Sequence, residues 1–136
     1  GTPNYIGSYA FSKALEYVQE LGIEDIAKHE EELVEYIEER LAGLERVKIY
    51  AVGQKKAGAV SFNVYRADGG LIHPFDVGVL LDRQGVAVRT GHHCAEPLIE
   101  HLGVPGTLRA SVGLYNTKED IDKLIAALER AIMMLE

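Results

Sequence analysis

The sequence predicts an α+β domain in which a small, mostly antiparallel sheet carries helices packed on one face. Three observations lead there. Two stretches near the N-terminus and one at the C-terminus repeat apolar residues with helical spacing. The middle of the chain shifts to a period of two, as half-buried strands do. The order is then two helices followed by strands with helices interspersed.

Taken in order, Pro3 biases Thr2 away from helical geometry, so residues 1–4 are read as extended or turning. From about Ser8 a helix is marked by Phe11, Ala14, Leu15, Val18 and Leu21, and Gly22 ends it. A second helix runs from about Ile23 to Ala42, with Ile26, Leu33, Ile37, Leu41 and Leu44 as its buried stripe. Its Glu30, Glu31, Glu35, Glu38 and Glu39 form a solvated face. Val47–Tyr50 is a short strand and Ala57–Tyr65 a better one, alternating Val60, Phe62 and Val64 against Ser61, Asn63 and Tyr65. Gly53–Lys56 joins them as a hairpin-type loop, and Arg66–Gly70 is a turn.

Pro74 opens a helix through about Gln84, since the first turn has no use for the missing N–H, and Gly85 stops it. Val86–Arg89 is read as a strand and Pro97–Leu102 as a helical turn or two. Thr107–Tyr115 alternates strictly, placing Leu108, Ala110, Val112 and Leu114 on one face and Arg109, Ser111, Gly113 and Tyr115 on the other. A last helix begins at Lys118, where Thr117 and Asp120 have the spacing of a capping box. By the same parity Arg89 and Arg109 both leave the sheet on the side away from the helices, a surface suited to an anion or another domain.

At 136 residues the chain is one domain with enough length for a real core. A net charge of −7 disfavours nucleic-acid binding, which wants a basic face. No run approaches the ~18 apolar residues of a membrane span, so no membrane partner is expected. The single cysteine cannot form an internal disulfide and fits a reducing, cytoplasmic setting.

That cysteine, Cys94, follows Gly91, His92 and His93 in a polar loop closed by Pro97. Free cysteine is often a small core residue, but this context favours exposure and reactivity. His92 and His93 are candidate acid–base groups, or metal ligands with Cys94. Three consecutive residues rarely converge on one ion, and no second cluster completes a zinc set, so no metal is expected. Arg109 reads either as a surface ion-pair partner or as a two-pronged clamp on a carboxylate, and Arg89 has the same two readings.

The string Arg89-Thr90-Gly91-His92-His93-Cys94-Ala95-Glu96-Pro97, followed by Arg109-Ala110-Ser111 and Tyr115-Asn116-Thr117, resembles the C-terminal part of group II cysteine desulfurases. These are the SufS-like members of the class V aminotransferase family. Gly1-Thr2-Pro3-Asn4 is similar to that family's Gly-Thr-Pro segment, and His73-Pro74 with Asp76-Val77 to a helix start.

The resemblance implies the small C-terminal domain of a fold-type I enzyme that uses pyridoxal 5'-phosphate to convert L-cysteine, or selenocysteine, to L-alanine. The sulfur is carried as a persulfide and passed to an acceptor protein for iron–sulfur cluster assembly. It further implies that Cys94 is the nucleophile, that Arg109 holds the substrate carboxylate with Arg89 near the same pocket, and that Thr2 bonds the cofactor phosphate of the partner subunit in a homodimer. The family's cofactor-binding lysine, with its ring-contacting Asp and stacking His, lies in a large N-terminal domain. Lys13, Lys28, Lys48, Lys55, Lys56, Lys118 and Lys123 do not stand in that context. Residues 1–136 are therefore expected to be that small domain alone, inactive by itself. Phe75 departs from relatives that carry His after the Pro, which bears on a zinc-mediated hand-off. The alternative from another class is a stand-alone sulfur-carrier or protein-interaction module.

Overall fold

Leu33, Val34, Ile37 and Leu41 recur along one side of a 20-residue helix, and all four are buried. That stripe fixes where the core lies. The computed structural model describes residues 1–135. In order the elements are α1 (Tyr5–Leu21), α2 (Ile23–Ala42), β1 (Val47–Ile49), β2 (Ala59–Val64) and α3 (Pro74–Asp82). Then follow β3 (Arg89–Gly91), α4 (Glu96–Leu102), β4 (Thr107–Ser111) and α5 (Lys118–Met134).

The four strands form one sheet in the order β1-β2-β4-β3, and every neighbouring pair is antiparallel. Ser61 stands opposite Arg109, and Arg109 opposite Arg89, so these three side chains share a face. The other face presents Val60, Phe62, Val64, Leu108 and Ala110 to α2, α3 and α5, where they join Ile37, Leu81, Ile125 and Leu128 in one core. The expected parity of both arginines holds.

Three local features depart from the sequence reading. α1 starts at Tyr5 rather than Ser8, because Asn4 caps it by accepting the Gly7 N–H at 2.9 Å. β3 begins at Arg89, not Val86, and β4 ends at Ser111, not Tyr115. Val86–Val88 and Ala110–Val112 line a cleft of about 370 Å3, so the two segments splay where a ladder was expected. Val86 and Val88 still pack against the core, which preserves their facing.

α2, α3 and α5 make the core layer on one face of the sheet, as expected. The short α4 borders, through Leu98, Ile99 and Leu102, a cleft that also takes in Ser61 and Arg109. α1 has no buried residue, and Tyr5, Ile6, Tyr9 and Phe11 are all more than 60% exposed. The apolar repeat that marked it as a helix is thus turned largely to solvent. α3 approaches β3 closely enough that a Cβ on Gly78 would stand 2.5 Å from Thr90 Cγ2.

Candidate functional site

The side of the sheet turned away from the core carries Arg89 and Arg109 as directly opposed neighbours on adjacent strands. Like charges so placed repel, and no ion pair to either is present among the described residues. Arg109 Nε is buried without a hydrogen-bond partner among those residues. A buried guanidinium N–H in that condition is able to donate to an anion, and the planar fork suits a carboxylate.

Arg109 lines a cleft of about 290 Å3 with Ser61, Thr107, His92, His93 and Tyr50. The apolar wall comes from Ala57, Ala59, Leu98, Ile99 and Leu102. Tyr50 sits at its edge with a phenol pKa pushed up to about 12, first by burial and then by its bond with the Tyr65 hydroxyl. It therefore stays a neutral hydroxyl. Lys56 also reaches the cleft, but its ammonium is engaged by the Glu38 carboxylate and the Ala51 carbonyl.

The loop leaving β3 is held by two rings. His92 Nε2 lies 3.2 Å from the Pro105 carbonyl, and His93 Nε2 lies 3.1 Å from the Thr107 carbonyl and 3.0 Å from its hydroxyl. A carbonyl can only accept, so both rings carry their proton on Nε2. Burial, and then the charges of Arg109, Arg89 and His92, hold the His93 imidazole below its ordinary pKa, against the opposing pull of the Thr107 carbonyl. The two rings thus face different carbonyls and do not converge with Cys94 on a common point. No group of three or more His, Cys, Asp or Glu placed to hold a metal ion occurs among the described residues.

Cys94 is exposed, at the end of this loop. His93 and Cys94 take φ values of 55° and 58°, a left-handed pair of non-glycine residues. Such a pair persists only where its surroundings hold it. Cys94 is not among the residues lining the Arg109 cleft, so the thiol stands outside it, joined to the cleft wall through His93. Thr2 is exposed ahead of α1 and lines no cleft with these residues.

The sequence reading placed Arg89, Arg109, His92, His93 and Cys94 together, and the fold does bring them to one end of the sheet. It passed over Thr107, Asn63 and Gly106. Thr107 is 1% exposed and Asn63 fully buried, and Asn63 Nδ2 donates to the Gly106 carbonyl at 2.9 Å. Alternation alone put Asn63 and Thr107 on the face of Arg109, so a polar residue on that parity was the available signal.

No helix of the described residues is long and apolar enough to cross a membrane. The chain matches the aminotransferase class-V family over residues 1–124. It is 46% identical over 130 residues to a probable cysteine desulfurase of Halalkalibacterium halodurans, covering 96% of this chain and 30% of that protein. With the cysteine desulfurase of Pectobacterium atrosepticum the figures are 44% over 135 residues, 99% and 32%. Among solved structures, the apo cysteine desulfurase of Thermococcus onnurineus superposes with a TM-score of 0.89 at 38% identity, over 99% of this chain and 33% of that one. A cysteine desulfurase of Escherichia coli in an S-sulfonic acid form gives 0.89 at 34%, over 100% and 32%. The chain spans about a third of the length of these relatives. With a family model that matches residues 1–124 and a fold shared with those solved structures, the chain belongs to the aminotransferase class-V family.

Proposed function

We propose that this chain is the small C-terminal domain of a SufS-like cysteine desulfurase that converts L-cysteine, or selenocysteine, to L-alanine and keeps the sulfur as a persulfide on Cys94. The observation that carries the reading is the exposed thiol of Cys94 one residue beyond a ring that lines the Arg109 cleft. In the transfer, a bond forms between Cys94 Sγ and the substrate sulfur while the carbon–sulfur bond of the substrate breaks. The electron pair of that bond remains on carbon, which takes a proton and becomes the methyl of alanine. Arg109, with Arg89 beside it, grips the substrate carboxylate, and Thr2 serves the cofactor phosphate of a partner subunit.

The residues of this chain do not hold pyridoxal phosphate by themselves. Lys56, the cleft lysine, is taken up by the Glu38 carboxylate and the Ala51 carbonyl. The anchoring lysine belongs to the rest of the polypeptide, and the group, when bound there, supplies the electron sink that loosens the carbon–sulfur bond. What this chain contributes is the acceptor thiol, the carboxylate grip and the walls that orient the side chain of the substrate. The apolar face left open on α1 fits a surface covered by that larger domain or a second subunit. A cytoplasmic setting, and delivery of the persulfide to an acceptor protein for iron–sulfur assembly, complete the reading.

The test is Cys94→Ser in the complete polypeptide. Cysteine turnover is abolished and cofactor absorbance is unchanged. Undiminished turnover in that variant would remove Cys94 from its role.

A further inference from the structure

We propose that His93 is a positioning residue for Cys94: its ring, bonded to Thr107, holds the left-handed turn that carries the thiol. The inference rests on the reading of Cys94 as the sulfur acceptor, and the geometry supports it from three sides. The backbone of the turn has one closing bond, Ala95 N–H to the His92 carbonyl at 2.9 Å, which does not by itself hold two non-glycine residues at φ 55° and 58°. His92 reaches the Pro105 carbonyl at 3.2 Å at the start of the turn, and within the turn the restraint is the His93 ring, whose Nε2–H reaches both the carbonyl and the hydroxyl of Thr107 at 3.1 and 3.0 Å.

Thr107 is itself fixed. It is 1% exposed, and the preceding Gly106 carbonyl accepts from the fully buried Asn63. Gly106 also lies against Gly91, where an added Cβ would stand 3.0 Å from the Gly91 Cα. β3 and β4 therefore close tightly at the point where the cysteine loop departs, and this brings ring and threonine within reach. A continuous set of contacts runs from Asn63 in β2 through Gly106 and Thr107 to His93, and by one peptide bond to the thiol.

The groups facing the ring are Arg109 from β4, Arg89 from β3 and His92 from the loop, with the paired Lys56 across the cleft. Burial and the charges of Arg109, Arg89 and His92 disfavour an imidazolium, while the Thr107 carbonyl favours it. The ring donates through Nε2 whether neutral or protonated, so the latch does not depend on proton exchange. A positioning role and an acid–base role consequently make different predictions.

The complete polypeptide carrying His93→Gln or His93→Ala separates them. A Gln amide offers an N–H close to the place of Nε2, without a titrating ring. Expected is that His93→Gln keeps kcat within about threefold of the parent, with an unchanged pH profile, whereas His93→Ala loses about tenfold in kcat at constant KM, the scale of one lost hydrogen bond. Equal loss in both variants overturns the proposal, as does the disappearance of a limb of the pH profile in His93→Gln, or full activity in His93→Ala. Imidazole 15N NMR of the unsubstituted complete polypeptide gives a readout independent of turnover. An Nε2–H tautomer sustains the latch and an Nδ1–H tautomer overturns it. If the unsubstituted polypeptide turns over no cysteine, the reading of Cys94 fails, and the NMR result still decides on the latch.

Discussion

Gly78 sits in the middle of α3, with its hydrogen in the place of a side chain against Thr90 of β3. A Cβ there would lie 2.5 Å from Thr90 Cγ2, where carbon atoms prefer about 3.5–4.0 Å. Thr90 is β-branched and short, so it cannot swing its methyl away cheaply. Gly78→Ala should therefore suffer an overpacking penalty of about 1–3 kcal/mol. Alanine in a helix interior recovers about 1 kcal/mol relative to glycine, so the net is a loss of roughly 0–2 kcal/mol. In a Thr90→Ser background the offending methyl is gone, and the same Gly78→Ala change should become neutral or stabilising by up to about 1 kcal/mol. Equilibrium urea unfolding of the four proteins in this cycle yields the coupling directly, expected at about 1–3 kcal/mol. If Gly78→Ala costs the same whether residue 90 is Thr or Ser, the close approach of α3 to β3 is not what requires glycine.

Other outcomes follow from the same structure. Arg109→Lys in the complete polypeptide replaces a planar fork by a point charge and should raise KM about tenfold or more with a smaller change in kcat; an unchanged KM would show that Arg109 does not grip the carboxylate. Phe62→Ala, on the core face, should destabilise the fold by about 3–5 kcal/mol, while Ser61→Ala on the opposite face stays within about 0.5 kcal/mol, both read by urea unfolding. The His93 imidazole is held below its ordinary pKa in the fold, chiefly by burial. As pH falls below about 6.5 the unfolded chain therefore takes up a proton that the folded one refuses, and stability declines until the folded-state pKa is passed. Melting temperatures from pH 7 to pH 5 should fall less in His93→Gln than in the parent; equal slopes would contradict the shift.

Helices and facing were legible in the sequence because both rest on short-range periodicity. The stripe Leu33–Ile37–Leu41 and the alternation through Leu108, Arg109 and Ala110 needed no knowledge of partners. Strand ends were not legible, because a ladder stops where the neighbouring strand diverges. Val86–Val88 has strand-like residues and the right parity, yet β4 parts from it there. The arginine pair could be inferred from parity, but its directness came from the register Arg89 opposite Arg109, which single-strand reasoning does not give. The bond from His93 to Thr107 joins residues 14 apart through a close contact of two glycines, and no local pattern announces it. α1 was legible as a helix but not as an unsupported one, since an apolar repeat says that a face will be covered without saying by what.

α1 has a further consequence for anyone who prepares this chain alone. A 17-residue helix whose aromatic residues meet water is close to the length at which helicity in isolation is marginal. Far-ultraviolet circular dichroism should then report less helix than the five elements would give, with the deficit concentrated in residues 5–21. If the proposed larger domain or second subunit covers those aromatics, adding it should raise the ellipticity, and an unchanged spectrum would show that α1 is fully helical without cover.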